Sequence, residues 1–379
     1  MKLIVTTASG IETVTKRELV SLGYGDSPAL NGRIAVEGDF SDVAKLNLYL
    51  RTAGRVLIEL GSFKATNFDE LFDGIKSIAF EDYIAKGGKI IVTAKSVMSK
   101  IYALSATQSV AKKAIIERLG KKWHTNEIDE IGERYKIDIS IYKDVVSVTL
   151  DTSGEGLHKR GYRGLVGDAP LKETLAAALI KLSVWNPGRP FADVFCGSGT
   201  FAIEAALLAA NIPGGFNRDF DFLHYKYYNE KDFEALKQQA ESEIDLKKEV
   251  HISGFDIDEN QILLARKHAA LAGVGDKIHF QKADMRDFSS SKKGGVIISN
   301  PPYGERLLSR KEIVGLYRDY GKMYSRLDGW CCYTLTSVSD FESLFGKKAD
   351  KKRKIYNGNL ECNYYAVLCP KNNVKNDKI

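Results

Sequence analysis

The sequence lacks any uncharged apolar run approaching the roughly 18 residues that a membrane-spanning helix needs. Its opening, MKLIVTTASG, has one Lys and then too short an apolar stretch for a signal peptide, so the expectation is a cytoplasmic protein. Cysteine is scarce and unpatterned: Cys196, Cys331, Cys332, Cys362 and Cys369 are odd in number, form no CxxC pair and have no nearby His. Neither a disulfide framework nor a zinc site is encoded, no metal is expected, and the five read as small hydrophobes in a reducing compartment. Proline stands at 8 and glycine at 33 of 379 residues, which with 44% apolar and 27% charged residues excludes collagen-like and broadly disordered chains. There is no repeat and no low-complexity tract beyond a basic surface run, KKADKKRK (347–354), and a frayed tail expected after Pro370. Nor is there a strong excess of one charge: 55 Lys+Arg against 49 Asp+Glu leaves +6, which is compatible with a nucleic-acid partner without implying one.

What is present is enough chain for two or three domains. From Met1 to about Leu150, strand-like runs alternate with helical ones, as α+β or α/β modules do: LIVTT, IETVTKRELVSLG, NGRIAVEG, then KIIVTAKSV and KIDISIYKDVVSVTLDTS around a helix. That helix is predicted over Gln108–Leu119, because Ala111, Ile115 and Leu119 recur at the spacing of a buried stripe while Lys113 and Glu117 share another face. Between Lys95 and Lys122 seven basic residues stand against the single acid Glu117, the footprint of phosphate binding or of a solvated face. The segment Asp151–Leu171 is Gly-rich, polar and basic, and reads as a linker or a docked loop.

Chemistry concentrates in the second half. In FADVFCGSGTFAIEAALLAA a hydrophobic strand ends at a Gly-rich turn and a helix begins, so Gly197 and Gly199 let the backbone approach a ligand beside a helix N-terminus. The spacing also satisfies G-x-G-x-x-G/A, which leaves a nicotinamide enzyme and a plain turn open, although no strand-borne acid follows about 20 residues later. Asp193 places an anion near the loop, which suits a positively charged cofactor better than a pyrophosphate. In VHISGFDIDENQILLARKHAALAG a strand ends at Asp256, whose carboxylate can accept two ribose hydroxyls. Asp258 and Gln261 are spaced like a capping box, with Ile262, Ala265 and Ala269 on the buried face and Gly273 as terminator. After KIHFQ, Asp284 can accept an adenine amino group or be a solvated turn acid. The fourth strand, GVIIS, leads into Asn300, Pro301, Pro302 and Tyr303. The prolines fix the backbone, leaving the Asn amide oxygen and the Pro301 carbonyl as two acceptors for an exocyclic amine, with Tyr303 to stack on the base.

The ordered set Asp193–Thr200, Asp256, Asp284 and NPPY (300–303) resembles the motifs of class I S-adenosylmethionine-dependent amino-methyltransferases. LHKRGYR (157–163), APLKETLAAALI (169–180) and NIPGGFNRDFDF (211–222) are similar to the narrower RNA methylase family of THUMP-containing enzymes, of the RlmL and YpsC type. A Trp that the family carries shortly after the last of these is replaced here by His or Tyr. The resemblance implies a ferredoxin-like domain over 1–57, a THUMP RNA-binding domain over 58–155 and a methyltransferase domain over 156–379. The last would be an α/β, Rossmann-like, doubly wound seven-stranded sheet whose final strand, around 360–369, is antiparallel. It further implies S-adenosylmethionine held by Asp193, Phe195, Gly197, Gly199, Thr200, Asp256, Ile257, Asp284, Met285 and Asn300, with catalysis by Asn300, Pro301, Pro302 and Tyr303. The implied reaction is direct methyl transfer to guanine N2 in 23S rRNA, naked or in a pre-ribosomal particle. A tRNA guanine-N2 enzyme, an adenine-N6 enzyme or a non-catalytic RNA-binding assembly protein are the alternatives. Phosphate contacts are expected from Lys112, Lys113, Arg118, Lys121 and Lys122, with Arg160 and Arg163 in the connecting segment.

Overall fold

The computed structural model describes residues 1–379 apart from 26, 31, 126, 127, 164–170, 227, 304–308 and 370–379. The tail expected to fray after Pro370, part of the 151–171 segment and the first two residues of APLKETLAAALI therefore lie outside the described residues. The chain divides into two compact units: Met1–Thr7, Lys16–Leu157 and Arg218–Gln239 form one, and Ala8–Thr15, His158–Asn217 and Ala240–Ile379 the other.

The first unit carries β1 (Lys2–Thr7), β2 (Ala29–Leu30), β3 (Arg33–Glu37), β4 (Ala53–Lys64), β5 (Lys89–Val97), β6 (Arg134–Tyr142) and β7 (Val145–Asp151) in one sheet, ordered β2-β3-β1-β4-β7-β6-β5. Its helices are most of α1 (Glu12–Ser21), then α2 (Phe40–Tyr49), α3 (Phe68–Lys76) and α4 (Leu104–Trp123). Strict alternation in β6 buries Tyr135, Ile137, Ile139 and Ile141 and leaves the residues between them facing outward. β4 joins the two modules of this unit: its first half pairs with β1 and its second with β7, so the position 57/58 falls inside one strand. Ala111, Ile115 and Leu119 are buried as their spacing predicts. The helix nevertheless extends beyond 108–119 at both ends, because Ala103 caps it without a side-chain bond and no sequence signal marks the start.

The second unit carries β8 (Phe191–Asp193), β9 (Ile252–Asp256), β10 (Ile278–Lys282), β11 (Val296–Ser299), β12 (Cys331–Thr336), β13 (Lys351–Asn357) and β14 (Leu360–Val367), ordered β10-β9-β8-β11-β12-β14-β13. Strands β8 to β12 pair in parallel, whereas β14 is antiparallel to both β12 and β13, as the resemblance implies. The helices are α5 (Glu173–Leu182), α6 (Thr200–Ala209), the end of α7 (Glu230–Ser242), whose residues up to Gln239 belong to the first unit, α8 (Glu259–Leu271), α9 (Arg310–Ser325) and α10 (Phe341–Phe345). Because side chains alternate across a strand, the near-continuous apolar run of β11 feeds two cores. Val296 and Ile298 pack with α5, α6 and α8, and Ile297 packs with α9 and α10.

Residues 218–239 fold with the first unit although they follow the glycine loop in sequence. Arg218 donates to the carbonyls of Ser153, Glu155 and Gly156, and Tyr225 stacks on Tyr135 with ring centroids 4.7 Å apart. Among the described residues no helix is long and apolar enough to cross a membrane.

Candidate active site

The C-terminal ends of the parallel strands carry the acids singled out above, as crevice positions of an open α/β sheet do. Asp193 ends β8 and is 2% exposed. Its Oδ1 accepts from the Ser299 hydroxyl at 2.7 Å and the Phe195 N–H at 3.1 Å. Burial outweighs these bonds and pushes the carboxyl up to about 7. Ser299, the residue before Asn300, thus bridges β8 and β11, since its oxygen also accepts from Val194 N–H.

The glycine loop follows. Gly197 and Gly199 have φ of +48° and +86°, the left-handed region that disfavours side chains. A Cβ on Gly199 would also stand 3.0 Å from both Ala265 Cβ and Phe280 Cζ. Asp256 at the end of β9 holds this loop: its Oδ2 accepts from Gly197 N–H at 2.8 Å and its Oδ1 from Asp258 N–H at 3.0 Å. Each oxygen keeps a lone pair for a further donor. Next to it Ile257 is 66% exposed, an apolar side chain without a core. Asp258 is a cap as expected, but it bonds Asn260 N–H alone, without the reciprocal bond from Gln261 that a capping box requires.

Asp284 is not a free turn acid. Its oxygens accept from Arg286 N–H at 2.9 Å and Arg286 Nη1 at 2.7 Å, and Arg286 Nε reaches Asp319 at 2.9 Å. Met285 is buried beside it, and Phe195 meets Tyr320 edge-on at 5.3 Å.

At the tip of β11, Asn300 Oδ1 is buried and has no hydrogen-bond partner among the described residues. A buried acceptor left bare costs about 1–3 kcal/mol, so this oxygen favours a ligand that brings a donor. The Pro301 carbonyl likewise receives no hydrogen bond among the described residues. Tyr303 is fixed rather than swinging free. Its ring packs against both apolar clusters and its Oη accepts from Asn357 Nδ2 at 3.1 Å, with the phenol pushed up to about 12 by burial. Behind the turn, Tyr317 Oη donates to the Pro302 carbonyl at 3.4 Å.

Two expected phosphate contacts are corrected. Arg160 is 3% exposed and its Nε lies 3.5 Å from Glu204, which also accepts from Tyr162 Oη at 3.1 Å. Arg163 pairs with Glu173 at 3.1 Å and donates to Ser198 Oγ at 3.3 Å and to Thr200 Oγ1. Arg160 is thus buried against α6, and Arg163 braces the glycine loop, with its Nε buried and unpaired among the described residues. The loop gains charged support there, and burial pushes the Glu173 carboxyl up while Arg163 pulls it back. On α4, Arg118 pairs with Glu81 at 2.5 Å, Lys112 with Glu130 at 2.7 Å and Lys113 with Glu117 at 3.9 Å, which leaves Lys121 and Lys122 as exposed lysines without an ion pair among the described residues. The spacing sets Lys113 and Glu117 on one face, but sequence reasoning missed the other partners, as well as Ser299, Arg286 and Asn357. Only Ser299 left a trace, as the polar end of an apolar strand. Among the described residues no group of three His, Cys, Asp or Glu is placed to hold a metal.

A family model described as the RMKL-like methyltransferase domain matches residues 160–366, one for the RlmL ferredoxin-like domain matches 2–57, and one for the THUMP domain matches 65–151. The protein called "Putative RNA methyltransferase YpsC" from Bacillus subtilis (strain 168) is 44% identical over 365 residues, which is 96% of this chain and 94% of that one. Two similar crystal structures span nearly all of both chains. One is of "SMU.472, a putative methyltransferase complexed with SAH", with TM-score 0.93, 42% identity and 98% of each chain covered. The other is of "a predicted N6-adenine-specific DNA methylase from Listeria monocytogenes", with TM-score 0.92, 44% identity, and 97% of this chain and 96% of that one covered. With a catalytic model matched over more than half its length and a relative aligned almost end to end, this chain belongs to the RMKL-like methyltransferase family and carries the ferredoxin-like and THUMP domains in front of its catalytic domain.

Proposed function

We propose that the protein transfers a methyl group from S-adenosylmethionine to the exocyclic N2 of a guanine in 23S rRNA. The observation that carries this reading is the buried Asn300 Oδ1, beside the Pro301 carbonyl, both without a hydrogen-bond donor among the described residues. A guanine N2 amine has two N–H donors to fill both acceptors. Its lone pair is delocalised into the ring, and gripping both hydrogens localises that pair and aims it out of the base plane. Tyr303, its hydroxyl held by Asn357, offers a fixed wall for the base to stack on.

The residues around the glycine loop fit the methyl donor. Asp193 supplies a buried anion for a cationic ligand, Asp256 keeps acceptor capacity for ribose hydroxyls, and exposed Ile257 suits the face of an adenine. Phe195, Gly197, Gly199, Thr200, Asp284 and Met285 complete that surface. S-adenosylmethionine supplies a methyl already activated on a sulfonium. The chain therefore has only to position the amine and stabilise charge. The N–CH3 bond would form as the S–CH3 bond breaks, and the thioether product leaves. The methylated amine, now cationic and acidic, loses its proton to water after transfer, so no side chain need be a strong base. RNA as the substrate agrees with the THUMP domain and with the name of the Bacillus relative.

Replacing Asn300 by Ala removes one of the two acceptors. Transfer from tritiated S-adenosylmethionine to unmodified 23S rRNA should fall by about a hundredfold, whereas cofactor affinity by calorimetry, shared among many residues besides Asn300, should barely move. Mass spectrometry of the digested product should show N2-methylguanosine. Retained turnover in the variant would place the amine grip elsewhere, and N6-methyladenine, the activity named for the Listeria relative, would overturn the choice of base.

A further inference from the structure

The basic run at 347–354 has no part in the site described above. Four of its residues, Lys351 to Lys354, form the first half of β13 and are exposed, with Lys347 and Lys348 just before them. Among the described residues β13 is the edge of the second unit's sheet, with β14 as its one strand partner. Within the run Lys354 reaches Glu361 at 2.7 Å, whereas Lys347, Lys348, Lys351 and Lys352 have no ion pair among the described residues. On α4, by contrast, Lys112, Lys113 and Arg118 each face a carboxylate, and only Lys121 and Lys122 at its end have no ion pair among the described residues. Aromatic rings support two of these lysines: Lys352 Nζ stands 4.9 Å from the centroid of Tyr365 and Lys347 Nζ 5.3 Å from that of Tyr324.

The register gives the run a direction. Lys351 pairs with Ala366 and Asn357 with Leu360, while Cys332 and Thr336 of β12 pair with Val367 and Asn363. β13 therefore climbs from level with the start of β12 to beyond its C-terminal end, the side on which Asn300 lies. Its last residue, Asn357, is the one that bonds Tyr303 Oη. Seven residues of strand span roughly 20 Å.

Side chains alternate along the strand, so Lys352 lies on the face of Tyr365, which Lys347 shares through Tyr324, whereas Lys351 lies on the opposite face with Arg353, which bonds Gly10 and Thr13. We infer that this face of β13 is a phosphate track: a single-stranded segment of the RNA substrate runs along Lys347 and Lys352, and its backbone enters the NPPY site past Asn357. The inference rests on the RNA-methylating reading above. Lysines on an exposed strand edge also deter strand-to-strand pairing, and that role predicts a different outcome.

The test uses the full chain, an unmodified 23S rRNA transcript and a 20-nucleotide poly-uridine strand, with affinities measured from 50 to 400 mM salt. Lys347/Lys352→Gln keeps the edge polar and should lower the salt slope by about 1.4 units, at about 0.7 for each single-strand phosphate contact. That is about 25-fold weaker binding at 0.1 M salt. The corresponding Lys→Arg variant should keep the wild-type slope, and cofactor affinity should be the same in all three proteins. An unchanged slope and affinity in the Gln variant, while the wild type does methylate the transcript, overturns the track alone. The same holds if the variant self-associates without losing RNA, which leaves edge protection as the role. A wild type that methylates no RNA overturns the parent reading and the track with it.

Discussion

Asp193 is held at a cost that pH should reveal. Burial raises its carboxyl from the ordinary 3.8 to about 7 in the folded protein, despite bonds from Ser299 and Phe195. The unfolded chain releases that proton near 4 and the folded chain only near 7, so between those values the folded state binds more protons. Stability of the ligand-free protein must then fall as pH rises from about 4 to 7 and level off above. At 1.36 kcal/mol per pH unit the full penalty is about 4 kcal/mol. Asp193→Asn keeps an acceptor for Ser299 and Phe195 and carries no charge. The variant should be more stable than wild type by up to about 4 kcal/mol at pH 8 and by about 2 kcal/mol at pH 5. At 2–4 °C per kcal/mol the gain at pH 8 is about 10 °C in the transition of the catalytic unit. A cationic ligand uses the ionised form. Affinity of wild type for S-adenosylmethionine should therefore rise about tenfold from pH 6 to 8, as the ionised fraction goes from about one tenth to about nine tenths, whereas the Asn variant should bind weakly at every pH. Thermal unfolding and calorimetric titration across pH 5–8 on both proteins measure this. An Asn variant no more stable than wild type at pH 8 would refute the argument from burial.

Asp256→Ala removes the bond to Gly197 N–H as well as the ribose acceptor, so S-adenosylmethionine binding by calorimetry should weaken about tenfold to a hundredfold, and undiminished affinity would refute the ribose assignment. Gly199→Ala forces a side chain into a left-handed turn 3.0 Å from Ala265 and Phe280 and should cost about 1–3 kcal/mol in thermal unfolding, with loss of cofactor binding. Arg160→Ala strands the buried Glu204 and should cost about 3–5 kcal/mol, yet leave the salt slope of RNA binding where it was; a slope reduced by a full unit would restore Arg160 as a phosphate contact.

The sequence by itself determined what is local. Alternation over 135–141 wrote β6, the apolar stripe of 111, 115 and 119 wrote the buried face of α4, and the Gly-Ser-Gly turn between a strand and a helix set the loop beside Asp193. Asn300 and the two prolines were legible because their chemistry resides in consecutive residues. The resemblance supplied the antiparallel β14, which no periodicity shows. Only the tertiary structure decided which charges meet. Arg160, Arg163, Lys112 and Arg118 look alike in a sequence as cations near glycines or on a helix, and their partners Glu204, Glu173, Glu130 and Glu81 come from other elements. Tertiary packing likewise carried residues 218–239 to the first unit through aromatic contacts with Tyr135, and set Ser299 against Asp193. Backbone periodicity acts over a few residues, whereas burial and ion pairing depend on chain segments far apart in sequence. The fold and the order of the site could thus be read along the chain, but the ionisation of Asp193 and the free cations of β13 could not.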